Sequence, residues 1–391
     1  MLHTRGHGHL ALLDVLFVSN PSLLLAIRYR PGKRNKMGIK FGIFDHLERL
    51  RGVPLDRQYL DRLTLVSQAE RAGFHCYHVA EHHHSPLCLA PNQAVYLSAI
   101  AQHTQRILFG PLVYVLPLHH PVQLLEEICM ADNLSGGRFQ LGIGRGTGGG
   151  QEFAMWGGDP RENDKRFEEA FQVLMQGFTH NFLTFKGRYY QYRDLWMELK
   201  PKQTPHPPFW YAGNPVHAGK FGANFIANSP IEDLPEIASR YLESWQRQLE
   251  ENDPMLPHVT SPLYGASHQI FLADTDEEAS SRARMAYADY SSHFNKPVPA
   301  GAEEQPRPAG PRGIYNPGMA SFETVRERER TIVGSPQTVL EYVERYEADS
   351  HCNYFVGSFQ WGDLTHEEAS RSMELFSTEV MPHFVDGTVT G

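Results

Sequence analysis

The chain has 391 residues, of which 41% are hydrophobic and 21% charged, with a formal net charge of -9. This is ordinary globular composition, and the negative charge, with no basic stripe to offset it, argues against a protein that works by neutralising nucleic-acid phosphates. Four cysteines, Cys76, Cys88, Cys129 and Cys352, lie far apart with no CxxC pair, as expected for reduced, mostly buried thiols of a cytoplasmic protein and not for a zinc cage.

Residues 1–36 differ from the rest. HTRGHGH precedes an apolar tract over 10–27 that Asp14 and Asn20-Pro21 interrupt, and the basic RYRPGKRNK follows. The tract is neither a clean signal peptide nor the roughly 18 uninterrupted apolar residues of a membrane helix. We expect a non-functional extension, or a start assigned too far upstream, with the working protein beginning near Met37; a targeting role stays open.

From Lys40 the pattern is strand, loop, helix, repeated. Residues 40–44 read as a short strand. Residues 56–72 read as a helix with Leu60, Leu63, Val66 and Ala69 at helical spacing, ended by Gly73. Residues 74–80 are a second strand running into Glu81-His82-His83-His84. Residues 107–116 are apolar enough for a strand covered on both faces, stopped at 117–121 where His119 and His120 sit between prolines. A helix over 122–134 leads to a strand over 139–143. That strand opens onto Gly144-Arg145-Gly146-Thr147-Gly148-Gly149-Gly150, where bare amides and one guanidinium suit a phosphate.

A helix over 164–178 precedes an antiparallel excursion over 182–199 with a Lys186-Gly187 turn. Strands then follow at 208–212, 224–227, 269–273 and 353–359, with helices at 216–221, 234–250, 275–294, 334–347 and 366–384. Residues 295–320 are rich in proline and glycine and read as a long mobile insertion. Eight strands alternating with helices imply parallel pairing and right-handed crossovers. Polar residues follow many different strands, which favours a closed (β/α)8 TIM barrel with insertions over an open doubly wound sheet. We expect one α/β barrel domain over 37–391; such barrels run from about 200 to more than 400 residues.

Several residues at strand ends have both a functional and a structural reading. His82 and His84 share one side of the extended chain, as a metal pair would, but no further ligand constellation is evident on other strands. Arg145 is either a phosphate partner or a surface arginine in a turn, and the adjoining glycines favour the first. Residues 144–149 match GxGxxG, a weak signal because no helix is expected to begin at the glycines. Ala212-Gly213-Asn214-Pro215 precedes a short helix, where amides meet phosphates or an asparagine simply caps. Phe44, Tyr114, Trp156, Phe359 and Trp361 either wall an apolar substrate chamber or pack in the core.

Three pieces together resemble the bacterial luciferase-like family of flavin-dependent monooxygenases: AEHHHSP, the run LPLHHPVQLLEEICMADNLSGGRFQLGIGRG, and the terminal TIVGSPQTVLEYVERY with FQWGDLTHEEASRSMELFSTEVMPHF. The likeness covers residues 37–384. It implies a barrel binding FMN at the carboxyl ends of its strands. Reduced FMN, supplied by a separate NAD(P)H-dependent flavin reductase, would react with oxygen to a C4a-peroxyflavin that oxygenates a small organic substrate. By the same resemblance His82 is the catalytic residue at the C4a and N5 edge, and Leu112 and Val113 lie under the flavin ring, where family members often carry a non-prolyl cis peptide. It also gives the loop of Gly213, Asn214 and His217 to the cofactor, and a homodimer formed through helices 56–72 and 122–134; Arg145 and Gly146 are cofactor candidates on the residue reading above, and Arg166 a weaker one. Phe44, Tyr114, Trp156 and Trp361 are the candidate substrate wall, and 295–320 a candidate lid. Gly144 stands where true luciferases have a cysteine, and the loop over 146–156 is longer, so light emission is not implied. A deazaflavin-dependent oxidoreductase, a non-catalytic flavin-binding protein and a metal-dependent hydrolase are the alternatives. The substrate is not legible.

Overall fold

The protein is described from a computed structural model covering residues 38–146, 150–251, 259, 261–294 and 320–384. The expected extension 1–36 and, apart from Ala320, the expected lid 295–320 lie outside the described residues. The first half comprises β1 (Lys40–Asp45), α1 (Leu55–Ala72), β2 (Cys76–Val79), α2 (Gln93–His103), β3 (Leu108–Pro111), β4 (Tyr114–Val115), α3 (Pro121–Leu134) and β5 (Leu141–Gly144). Then come α4 (Gly150–Met155), α5 (Asn163–Thr179), the hairpin β6 (Phe182–Lys186) and β7 (Gln191–Trp196), β8 (Phe209–Ala212), α6 (Pro215–Lys220), β9 (Asn224–Ala227), α7 (Leu234–Glu251), β10 (Tyr264–Leu272) and α8 (Asp276–His293). The last elements are α9 (Phe322–Glu327), β11 (Thr331–Gly334), α10 (Pro336–Asp349), β12 (Tyr354–Ser358) and α11 (His366–Leu375).

Nine strands follow one another in the order β3-β2-β1-β12-β10-β9-β8-β5-β4, with β11 paired to β10 off this path. Every pairing along it is parallel. β3 and β4 are consecutive segments of one stave, so the pairing of Tyr114 with Ile143 and the bridge from Phe109 to Phe139 bring the path back to its start. The result is a nearly closed α/β barrel of the TIM type, as expected from the alternating elements.

Alternation along the strands divides the core. Phe41 and Ile43 point to the helical layer, where Phe41 packs edge-on against Phe376 at 5.5 Å, while Phe44 points inward. The barrel is filled by Phe44, Leu112, Val113, Trp210, Ile226, Tyr354 and Val356. Its buried polar atoms are paired: Trp210 donates to Gln140 at 2.9 Å, and His78 Nε2 lies 3.0 Å from the Tyr354 hydroxyl.

Some elements differ from the sequence-based expectation. The single strand over 107–116 is two, broken where the Leu112–Val113 peptide is cis. α2 and β11 were not expected, and β10 starts at Tyr264, ahead of 269. A helix does begin at the glycines: α4, six residues long, starts at Gly150. On α1, Leu63, Val66 and Ala69 face the sheet, but Leu60 is 57% exposed, so the apolar stripe is narrower than its spacing suggested.

Candidate active site

Polar residues follow several strands on one rim. His46 follows β1; Glu81, His82 and His83 follow β2; His119 follows β4; Arg145 and Gly146 follow β5; Gly213 and Asn214 follow β8. Because the strands run parallel, these are all carboxyl ends.

Glu81 ties part of that rim together. His83 Nε2 lies 2.9 Å from one of its oxygens, and His119 Nε2 lies 3.0 Å from the other, to which the Val115 amide also donates at 2.9 Å. Burial alone would raise the Glu81 carboxyl, but the His119 charge and these hydrogen bonds outweigh it and hold its pKa below the ordinary value. Burial likewise opposes protonation of His119, yet Glu81 draws its pKa above the ordinary value. The depressed Glu81 stabilises the fold above its unfolded pKa near 4.5, and that share is lost as pH falls through the lower folded value. The raised His119 stabilises the fold below its unfolded pKa near 6.5, and that share is lost as pH rises through the higher folded value. His119→Ala should therefore cost most between these two values, about 2 kcal/mol, because buried Glu81 loses one charged partner while His83 and the Val115 amide remain. Denaturant unfolding of wild type and variant from pH 3 to 9 checks this; a pH-independent difference would contradict it.

His82 is placed differently. Its half-buried ring stacks on His46, with centroids 5.7 Å apart and planes 22° from parallel. Its Nδ1 is 3.5 Å from Glu152 of α4, and the same carboxylate oxygen accepts from the His83 amide at 3.3 Å. With a carboxylate facing Nδ1, the neutral ring is expected to carry its proton there, leaving Nε2 as the basic nitrogen. His46 is surrounded by Phe44 at 4.8 Å, Tyr290 at 6.2 Å and Phe294 at 6.4 Å, and keeps partial solvent contact. Burial first, then the fields of His82, Arg62 and His293, lower its pKa to about 3, so His46 is neutral at pH 7.

Behind His46, His293 Nδ1 lies 2.8 Å from Glu48, whose same oxygen accepts from the Gly362 amide at 3.0 Å. Burial raises the Glu48 pKa; it opposes protonation of His293, but Glu48 wins and raises that one too. Ser85 donates to the His293 carbonyl at 3.3 Å. The end of α8, with Tyr290 and Phe294, is thereby fixed to the loops after β1, β2 and β12.

A second cluster lies beyond β5 and β8. Arg145 Nη1 is 2.7 Å from Asp164 of α5, and both side chains are largely exposed. Asn214 accepts from the Val216 and His217 amides at 3.0 and 3.1 Å and so caps α6. Burial first, then Arg145 and Lys220, hold the His217 pKa below its ordinary value. Gly213 has φ +93°, and a side chain there would meet nothing within 4 Å, so the loop borders open space. Among the described residues no group of three or more His, Cys, Asp or Glu is arranged to hold a metal ion.

A family model described as luciferase-like monooxygenase matches residues 39–350. The chain belongs to the luciferase-like monooxygenase family. An uncharacterised protein of Sinorhizobium fredii is 32% identical over 344 residues, 88% of this chain and 96% of that protein. The oxygenase component of the flavin-dependent trigonelline monooxygenase of Acinetobacter baylyi is 25% identical over 368 residues, 90% of this chain and 97% of that protein. Among solved structures, the oxygenating constituent of 3,6-diketocamphane monooxygenase from Pseudomonas putida, in complex with FMN, matches with TM-score 0.70 at 20% identity, covering 89% of this chain and 99% of that one. An F420-dependent secondary alcohol dehydrogenase matches with TM-score 0.66 at 18% identity, covering 90% of this chain and 100% of that one. At such identities the structures speak to the fold alone.

Most of the predicted residues lie at the carboxyl rim, with exceptions. Leu112 and Val113 flank the cis peptide in the barrel filling, where Phe44 also packs. Gly146, with φ +77°, fits between Val115 and Phe153. Trp156 is 53% exposed, its ring edge-on to His83 at 5.4 Å. Tyr114 is instead buried in the layer between sheet and helices beside His119, and Trp361 is buried against the β10–α8 layer with its indole donating to the Ile270 carbonyl at 3.2 Å. Both are core residues, not chamber walls, and Phe359 joins the helical-layer core. Arg166 is paired with Glu162 at 3.2 Å and lies over the Tyr189 ring at 4.4 Å, so it anchors the hairpin to α5. Three rim residues escaped the sequence reading: His46, Glu152 and Asp164. His46 was findable, two positions past an inward-facing Phe44 at a strand end; the other two gain meaning only from contacts across the loop.

Proposed function

We propose that this protein is the oxygenase half of a two-component system, using reduced FMN and dioxygen to place one oxygen atom in a small organic substrate while the other leaves as water. Membership of the luciferase-like monooxygenase family carries the reading, and the rim geometry supports it. Arg145, with Gly213, Asn214 and His217 around an open loop, fits a phosphate. Leu112 and Val113 offer an apolar floor to a flavin ring, and His82 stands on the same rim, one stave removed from Arg145 across β3 and β4. Reduced FMN, when bound, supplies the activation of oxygen, which no side chain here can do. The chain's own part is to bind and orient the flavin, to exclude water with Phe44, His46, Tyr290 and Phe294, and to hold or deliver a proton at His82 Nε2. The relative's description as an oxygenase component supports a separate NAD(P)H-dependent flavin reductase as partner. A deazaflavin coenzyme is the second reading, since an F420-dependent enzyme shares the fold.

The cofactor assignment is tested with phosphate-bearing and phosphate-free flavin. Arg145→Ala should weaken reduced-FMN binding by about ten- to a hundredfold, the loss of one charge-assisted hydrogen bond, and leave reduced riboflavin nearly unchanged. Equal losses would mean a damaged loop. We also propose a homodimer through α1 and α3, where Leu55 and Leu60 of the first and Met130 and Leu134 of the second are exposed. Sedimentation at micromolar concentration should show a dimer; a monomer would contradict it.

A further inference from the structure

We propose that Asp164 is a built-in competitor of the flavin phosphate, keeping the cofactor exchangeable by neutralising Arg145. The proposal rests on the assignment of Arg145 to that phosphate. Asp164 lies in the first turn of α5 and places its carboxylate 2.7 Å from Arg145 Nη1, with 68% of its side chain exposed against 46% for the arginine. Lys220 and Glu168 also act on His217, with opposite signs, and burial and Arg145 hold the His217 pKa below its ordinary value. A dianionic phosphate approaching Arg145 therefore meets an ion pair with a carboxylate on its flank, not a free cation.

Two opposite effects of Asp164 are conceivable, and magnitude separates them. As an orienting partner it would add the small benefit of holding an exposed arginine in one rotamer, a factor of about two to five for a surface pair. As a like charge it repels the phosphate: a dianion and a carboxylate about 6 Å apart in water lose roughly tenfold in affinity before salt screening. Repulsion wins. This suits an oxygenase whose flavin must arrive from, and return to, a reductase that reduces it, because a phosphate held by an unopposed guanidinium would leave more slowly.

The experiment compares Asp164→Asn, Arg145→Ala and the double variant, titrating each with FMN and with riboflavin at low and high salt. Asp164→Asn should bind FMN about three- to tenfold more tightly at low ionic strength, mostly through slower release, with riboflavin unchanged and the gain shrinking as salt is added. In the Arg145→Ala background the same substitution should still tighten FMN, because the repulsion acts on the phosphate directly, whereas an Asp164 that merely oriented Arg145 would have no effect there. Unchanged or weaker FMN binding by Asp164→Asn, or an equal change for riboflavin, would overturn the proposal. If Arg145→Ala itself leaves the ratio of FMN to riboflavin affinity untouched, the underlying phosphate assignment fails instead, so the two failures are distinguishable.

Discussion

His82→Ala is expected to lower the rate of substrate oxygenation by about a hundred- to ten-thousandfold, the range of a positioned proton-transfer group, while FMN affinity stays within a few-fold of wild type. The expectation follows from what each rim histidine is bound to. His83 and His119 are both engaged by buried Glu81, and His46 is held neutral among aromatic rings. His82 is the most exposed of the three carboxylate-paired histidines among these, 32% of its side chain against 7% for His83 and 22% for His119, and its carboxylate is Glu152 at 3.5 Å, not buried Glu81. His83→Ala should accordingly reduce stability more than it reduces turnover per folded enzyme. Steady-state kinetics with a flavin reductase, together with peroxide release per oxygen consumed, checks the contrast. Equal kinetic losses for His82→Ala and His83→Ala would remove the special role given to His82.

Gly110→Ala and Gly142→Ala should each destabilise the barrel by on the order of 3 kcal/mol or more, enough to leave little soluble protein. β3 and β5 approach so closely that a Cβ on Gly110 would overlap the Gln140 carbonyl oxygen, and one on Gly142 the Pro111 carbonyl oxygen. Both obstacles are backbone, so relief requires parting two strands at the seam where the barrel closes. Gly144 is the useful comparison: a Cβ there would overlap the Val113 side chain, which can rotate. Gly144→Ala should therefore cost nearer 1 kcal/mol. Urea unfolding of the three variants tests the ranking, and a Gly110→Ala protein within 1 kcal/mol of wild type would contradict it.

The alternation of buried strands and helices made the barrel legible, because a strand such as 141–144 between a helix and a glycine run has few other readings. What escaped lacked a local signature. α2, QAVYLSAIAQH, is largely apolar with only small or polar breaks, so no stripe stands out from a buried loop. The start of β10, YGASH, carries no β-branched residue and is a strand because β9 and β12 flank it. β11 is four residues before a serine-capped helix, too short for a period to register. The same limit governs the site. The positions of His82 and Arg145 followed from strand ends and motif likeness, whereas Tyr114 and Trp361 were drawn to the chamber only by being aromatic near a strand end. Which face an aromatic takes depends on local register, and a single break such as the one at Leu112–Val113 shifts it.

The most direct measurement is oxygen uptake by the purified protein titrated with reduced FMN and, separately, with reduced deazaflavin. If the chain is an FMN-dependent oxygenase, reduced FMN binds at one per chain, its reaction with oxygen differs from that of free reduced FMN, and peroxide release per oxygen falls below the free-flavin value, while deazaflavin supports no oxygen uptake. Tight FMN binding with oxygen consumption and peroxide release at free-flavin rates, or binding of deazaflavin alone, would contradict it.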